Sequence, residues 1–340
     1  MNPLQPHPTW GIQDSTKIQC YMDCPRWYFY LYVLGWDNMH PRPYLVFGEG
    51  MHAALEVLLQ KGLTAAAGID AYDAYLKVFN REYQVTGMGD IPEETSGIYS
   101  PGHAFATIGE YIALYEKEEM EVLHTELGGS ALIDLGDAEH PMRKIYFRMD
   151  GIIRRKDGIW CMEHKTSKKA SNNRTWIEKW DLSFQIGTYS HVGHLLYPGQ
   201  SQGVEINGIL LATATKNDVA AGRETGNEYL RLPQRRSMDM LNAWLWNANQ
   251  WYGQIETDFE RLMSDCDESD PVMCAFPMNT QACTKYWGCP YRAFCGAWAN
   301  PLRRADAPPM GFGMKRWNPQ ERAEQAKQFM VIGEPNDGKE

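Results

Sequence analysis

The succession strand, strand, helix, strand between about residue 144 and residue 214 predicts an α/β fold, a mixed central sheet flanked by helices. Three observations carry that prediction. Residues 144–165 alternate apolar and polar side chains on either side of Asp157-Gly158, a hairpin turn pair. Residues 181–197 then read as a helix that starts at an N-cap-like Asp181 and stops before Pro198-Gly199. Residues 204–214 follow as a nearly continuous apolar run, the pattern of a strand covered on both faces.

Upstream, residues 47–62 read as an amphipathic helix with Gly62 as its stop. His52 lies one turn from Glu49 and Glu56, beside Ala53 and Ala54, whose small side chains admit a close neighbour. A lone helical histidine is commonly structural, but opposite carboxylates its imidazole is a metal ligand, directly or through water. Residues 123–127 fit a strand entering the core and carry Glu126. In the hairpin, Ile145, Phe147 and Met149 alternate before the turn, and Trp160 and Met162 resume the alternation after it. Residues two apart on a strand share a face, so Glu163 and Lys165 point one way and Trp160, Met162 and His164 the other. Gln185 and Tyr189, one turn apart on the next helix, share a face as well.

The chemistry concentrates on Asp150, Glu163 and Lys165. Hard carboxylate oxygens suit Mg²⁺ or Mn²⁺, which keep several waters and accept phosphate oxygens as further ligands. Such ions activate water and stabilise a departing oxyanion, the needs of phosphodiester cleavage. Lys165 is placed to hold the attacking water or offset charge growing on phosphate. The backbone carbonyl of His164, between the two motif side chains, is a further candidate ligand. On a solvated hairpin Glu163 and Lys165 alone would be a weak surface pair.

The chain has 340 residues and a formal net charge of −10. No apolar run reaches membrane-span length and the N-terminus is not a signal peptide, which together favour a cytoplasmic protein without a membrane partner. The negative balance argues mildly against a nucleic-acid partner, since binders usually show a basic footprint, although a local basic groove in an acidic protein satisfies both. Positive charge is local: Lys165, Lys168, Lys169, Arg174 and Lys179 follow the acidic motif, and Arg231, Arg235 and Arg236 form a second patch. No internal repeat and no Gly-x4-Gly-Lys phosphate loop occur, so any motor would be a separate chain.

Eight cysteines in a reducing compartment are thiols or cofactor ligands rather than disulfides. Cys283, Cys289 and Cys295 recur at regular gaps in a Trp/Tyr/Gly/Pro-rich loop and call for a fourth ligand. Cys24 shares the Cys-Pro context of Cys289, which makes it the choice, with Cys20 its main rival. Cys161, Cys266 and Cys274 read as packed thiols. Spacing alone leaves zinc and iron–sulfur open.

Taken in order along residues 15–300, these motifs resemble the RecB-like branch of the PD-(D/E)xK nucleases. They are most similar to phage-type and CRISPR-associated members that carry an iron–sulfur cluster. The resemblance implies a restriction-endonuclease-like core with a helical insertion and an iron–sulfur-clamped C-terminal segment. It implies His52, Asp150 and Glu163 as metal ligands, Lys165 as the catalytic lysine, and Gln185 and Tyr189 bordering the DNA, with Glu126 as a further acid. Lys168 and Lys169, from the basic run beside the motif, are DNA-binding candidates by charge alone. Cys24, Cys283, Cys289 and Cys295 would hold a 4Fe–4S cluster, in preference to zinc.

The matching division of the chain is an N-terminal segment (1–46), a helical region with the histidine (47–125), a nuclease core (126–216), a helical region with the three C-terminal cysteines (217–300) and a partly disordered tail (301–340). The activity implied is a Mg²⁺- or Mn²⁺-dependent exonuclease acting on single- or double-stranded DNA ends in recombination, repair or phage replication, with a separate helicase or recombinase as partner. An endonuclease or CRISPR-type end trimmer, and an iron–sulfur-stabilised end-binding protein with little catalysis, are the alternatives.

Overall fold

The computed structural model describes residues 3–84, 97–137, 141–170, 172–213 and 226–333. Its strands are β1 (Trp36–Asn38), β2 (Glu121–Asp134), β3 (Arg143–Arg155), β4 (Gly158–Lys168), β5 (Ser201–Leu211), β6 (Glu228–Gln234), β7 (Phe312–Met314) and β8 (Gln328–Ile332). Six of them form one sheet in the order β6-β5-β4-β3-β2-β8, and β1 pairs with β7 in a separate ribbon. β4 pairs with β5, and β2 with β8, in parallel; the other pairs of the large sheet are antiparallel. The sheet is mixed, as the order of elements predicts.

The helices are α1 (Ser15–Asp23), α2 (Pro25–Tyr28), α3 (Pro43–Lys61), α4 (Ala65–Tyr83), α5 (Pro101–Tyr115), α6 (Arg174–Glu178), α7 (Phe184–Leu196), α8 (Met238–Ser264), α9 (Arg292–Ala297) and α10 (Pro319–Glu324). They cover both faces of the sheet. On one face Leu59 of α3 packs on Ile153, Trp160 and Met162, while α4 and α5 add Tyr75 and Ile108 around Ile209 and Leu211 of β5. On the other, α7 and α8 pack Ile186, Val192 and Trp244 over Ile152, Cys161, Val204 and Ile206. Alternation along β5 is therefore real, but each face meets helices, which is why its sequence reads as one apolar run. The parallel β4–β5 pair needs a crossover connection, and α7 supplies it.

Local signals hold with small displacements. Arg155 pairs with Gly158, so Lys156 and Asp157 occupy the hairpin turn and Gly158, at φ +136°, opens β4. The helix carrying Gln185 begins later than Asp181: Ser183 is its N-cap, its hydroxyl accepting from the Ile186 amide. α3 starts a turn before residue 47, at Pro43, a favoured first helical residue, and ends at Gly62 as expected.

The segment from residue 301 is not a tail. β7 seals the ribbon on β1, α10 docks on β2 and β3, and β8 becomes the edge strand beside β2. The central sheet consequently draws strands from outside 126–216, namely β2 in part, β6 and β8. Backbone pairing with β2 accounts for much of the difference: β8 leaves Phe329 and Val331 exposed and buries Ile332, and composition does not report its main-chain pairing. The final residues, 334–340, lie outside the described residues.

Gly128 and Gly129 make this docking possible. A Cβ at Gly128 would sit 2.1 Å from the Ala323 carbonyl oxygen, and one at Gly129 2.1 Å from that of Met330. Gly128→Val should cost about 1–3 kcal/mol through overpacking. It should lower the urea midpoint and expose residues 312–332 to protease, both measurable on the full chain.

Lys17 is buried, its Nζ donating to the Thr9 and Ile12 carbonyls at 2.7 Å each. Burial, only partly offset by Asp14, pushes its pKa down to about 7. The unfolded chain then binds the proton more readily above that value, so stability rises with pH from about 7 toward the usual lysine range. The gain is about 1.4 kcal/mol per pH unit. Urea titrations of wild type and Lys17→Met should diverge between pH 7 and 9 in favour of wild type; parallel curves would contradict the assignment.

Candidate active site

A cleft of about 1050 Å³ opens between α3, the ends of β2, β3 and β4, α7 and the C-terminal segment. His52, Glu126, Asp150, Glu163, Lys165, Gln185 and Tyr189 all line it. The β3–β4 ladder ends at the Gly151–Met162 pair, and the strands part there. Asp150 occupies the opening, and one carboxylate oxygen accepts from the His164 amide at 2.6 Å. The other meets Nδ1 of His52 at 2.9 Å, across from α3. Burial would raise the Asp150 pKa, but the His52 charge and the hydrogen bonds from His52 and His164 hold it well below the usual carboxylate range. Reciprocally, burial would lower His52, and Asp150, with Glu163 behind it, leaves it above its ordinary value.

Glu163 is buried on the α7 face. Its Oε1 contacts Lys165 Nζ at 2.5 Å and accepts from Gln185 Nε2 at 3.0 Å. Burial pushes Glu163 up to about 7, with Lys165 opposing and Asp150 adding to the shift. Gln185 also accepts from Lys165 at 2.9 Å and donates to the Tyr189 hydroxyl at 3.0 Å, and that hydroxyl donates to the Arg148 carbonyl at 2.6 Å. One helix turn thus braces the acid, the lysine and the β3 backbone together. The hydrogen-bonding capacity of Gln185 and Tyr189 is spent inside the protein, and Tyr189 is buried. Lys165 also lies 5.4 Å from the Trp180 ring, on the side away from α3.

His164 turns its ring to the α3 face, where Nδ1 lies 2.7 Å from Asn207 Nδ2. Burial pushes its pKa down to about 3. The buried ring stays neutral, and the backbone amide is the part of His164 that meets a carboxylate.

Glu126 lies opposite Asp150, because Thr125 pairs with Gly151 and Leu127 with Met149. Its backbone is left-handed, at φ +47°, a conformation uncommon outside glycine and associated with functional positions. Its carboxylate is ion-paired with Arg148. Arg148 shares the face of Asp150 two residues on, a relation that strand periodicity could have revealed.

Lys168 is exposed at the end of β4 and Lys169 pairs with Glu228 at 3.5 Å; neither lines the cleft. The second basic patch dissolves into internal pairs. Arg231 bridges Glu118 and Glu205, Arg235 meets Asp157, and Arg236 donates to the Ser183 carbonyl.

Among the described residues no three His, Cys, Asp or Glu side chains already stand at metal-ligand spacing. Charge is instead matched in pairs, His52 with Asp150 and Lys165 with Glu163. The donor set nevertheless fits a hard divalent cation: two carboxylates from parting strands with an imidazole beside them, all open to one cleft.

Cys24, Cys283, Cys289 and Cys295 line a second cavity, of about 310 Å³, between α2 and the C-terminal loop. Cys20 does not line it. The Asn279 amide donates to Cys24 Sγ at 3.3 Å, a contact suited to a sulfur carrying negative charge. Burial pushes the Cys295 thiol up to about 11, Arg26 opposing and the other three cysteines adding to it, so ionising it calls for a cation among the sulfurs. The two halves are also joined directly: Arg26 donates to the Pro277 and Phe276 carbonyls, and Lys285 meets Asp23 at 2.9 Å. Cys266 and Cys274 lie apart from this cavity, sulfur to sulfur at 3.0 Å.

No helix among the described residues is long and apolar enough to cross a membrane. No curated protein matches the chain significantly. The family model of the PD-(D/E)XK nuclease superfamily matches residues 15–296, which spans α1 through the cysteine-bearing loop. The six-stranded mixed sheet, with helices on both faces, is consistent with the restriction-endonuclease-like fold. With Asp150 and Glu163-x-Lys165 meeting where β3 and β4 part, the chain belongs to the PD-(D/E)XK nuclease superfamily.

Proposed function

We propose that the protein is a Mg²⁺- or Mn²⁺-dependent exonuclease that hydrolyses phosphodiester bonds from DNA ends, in recombination, repair or phage replication. The observation that carries the reading is the convergence of His52, Asp150, Glu163 and Lys165 on one open cleft. His52, Asp150, Glu163 and the His164 carbonyl would hold the cation, whose chemistry is to activate water and neutralise the phosphate. Lys165, fixed by Gln185 and Glu163, holds the attacking water in line and offsets charge growing on the phosphoryl oxygens. Neutral His164 and the apolar packing behind it keep the carboxylates in place.

End-labelled single- and double-stranded DNA should be degraded only with Mg²⁺ or Mn²⁺, and Lys165→Ala should lose activity by on the order of 10²-fold or more. No metal-dependent degradation, or equal degradation by the variant, would sink the assignment. A circular substrate should survive; its cleavage would make the enzyme an endonuclease.

The cysteine cavity supports a 4Fe–4S cluster on Cys24, Cys283, Cys289 and Cys295. It would join the N-terminal segment to the loop before residue 300, closing a very long stretch of chain. Anaerobically prepared protein should be coloured, and Cys289→Ser should bleach it and lower its thermal midpoint. A coloured, equally stable variant would refute that ligand set.

A further inference from the structure

The charges of the large cleft can be followed one by one. Six cationic side chains line it: Arg42, Arg81, Arg148, Lys165, Lys315 and Arg322. The first four are paired with carboxylates, Arg42 with Asp37, Arg81 with Glu49 and Glu82, Arg148 with Glu126, and Lys165 with Glu163. The remaining cleft acids outside the metal-binding set are also engaged. Glu56 pairs with Lys327, and Asp14 accepts from the Trp317 indole at 2.8 Å and the Lys17 amide at 2.7 Å. Among the described residues, Lys315 and Arg322 are the cleft cations whose side chains make no ion pair. Both are exposed, and both lie beyond residue 296, where the family match ends.

Their backbone is firmly held. Lys315 follows β7 directly and its amide donates to the Gly35 carbonyl at 2.7 Å. Arg322 sits in α10, which is capped by the Asn318 side chain and tied to β3 by the Tyr146–Gln320 hydrogen bond. The Arg322 guanidinium lies over the Trp317 ring at 4.3 Å, a contact that orients it without neutralising it. Two cations without a direct ion-pair partner, on a firmly held wall of the same cleft as the carboxylates, match a polyanionic strand.

We propose that residues 315–322 form a strand-guiding site in which Lys315 and Arg322 bind backbone phosphates of the DNA strand entering the cleft. The proposal rests on the nuclease reading of the same cleft and adds the wall that holds the substrate. Phosphate contacts of this kind are blind to sequence and strongly dependent on salt.

The test uses the full chain, a fluorescent single-stranded oligonucleotide and EDTA to prevent cleavage, with binding followed by anisotropy across a salt series. Each phosphate contact contributes about 0.7 to the slope of log affinity against log salt, so Lys315→Ala with Arg322→Ala should flatten it by about 1.4. The charge-conserving exchange Lys315→Arg with Arg322→Lys should keep the slope, and so should Lys156→Ala on the distant hairpin turn. An unchanged slope in the alanine pair would overturn the proposal. So would equal loss in the charge-conserving pair, since the role would then be structural. Absence of hydrolysis by wild type would instead sink the nuclease reading, while the slopes remained readable.

Discussion

The hydrogen bond from the His164 amide to the Asp150 carboxylate, 2.6 Å long, is the constraint on which the site depends. Two antiparallel strands separate at Gly151–Met162, and an amide that would otherwise seek a strand partner is satisfied by an acid. That single contact keeps Asp150 in the gap, within reach of His52 on α3, and leaves Glu163 next to it on the α7 side. Without it, Asp150 would keep only its contact with His52 and the strand end would carry an unpaired donor. Gln185 and Tyr189 complete the brace from the opposite face by tying Lys165, Glu163 and the Arg148 carbonyl to one helix turn.

Electrostatics explain how a chain of net charge −10 can hold a phosphodiester site. Several of its acids beside the sheet are paired with its own cations. Arg155 and Arg231 lock Glu118 and Glu205 beside β5, so Arg231, one cation of the basic patch seen in sequence, is an internal strut. Inside the cleft the same pairing consumes most of both signs. The carboxylates of the proposed metal set and the cations of the C-terminal wall line the same cleft.

Much of this site can be read from local periodicity. Alternation along residues 144–165 puts Glu163 and Lys165 on one face and the His164 ring on the other, and the helical spacing of Gln185 and Tyr189 puts them side by side. The turn and the helix stops are similarly local, because Asp157-Gly158, Gly62 and Pro198-Gly199 act through their own backbone preferences. Arg148 was legible by the same rule. Glu126 was not legible in its detail, since nothing in its neighbours announces a left-handed backbone or the ion pair with Arg148.

By itself the sequence determined the mixed α/β order, the faces of β4 and α7, and the grouping of cysteines at the two ends of the chain. These follow from periods of two and 3.6 residues and from backbone chemistry, which act over a few residues. Only the tertiary structure decided that His52 meets Asp150 from 98 residues away, that Cys24 joins the C-terminal cysteines around one cavity, and that residues 312–332 wall the cleft. The first two are side-chain meetings between elements far apart in the chain, and the third rests on main-chain pairing at a sheet edge and close approach at Gly128 and Gly129; none of these leaves a periodic signature. Long-range charge matching has no signature either: Lys315 and Arg322 are ordinary surface cations in sequence, and only the pairing of every other cation in the cleft sets them apart.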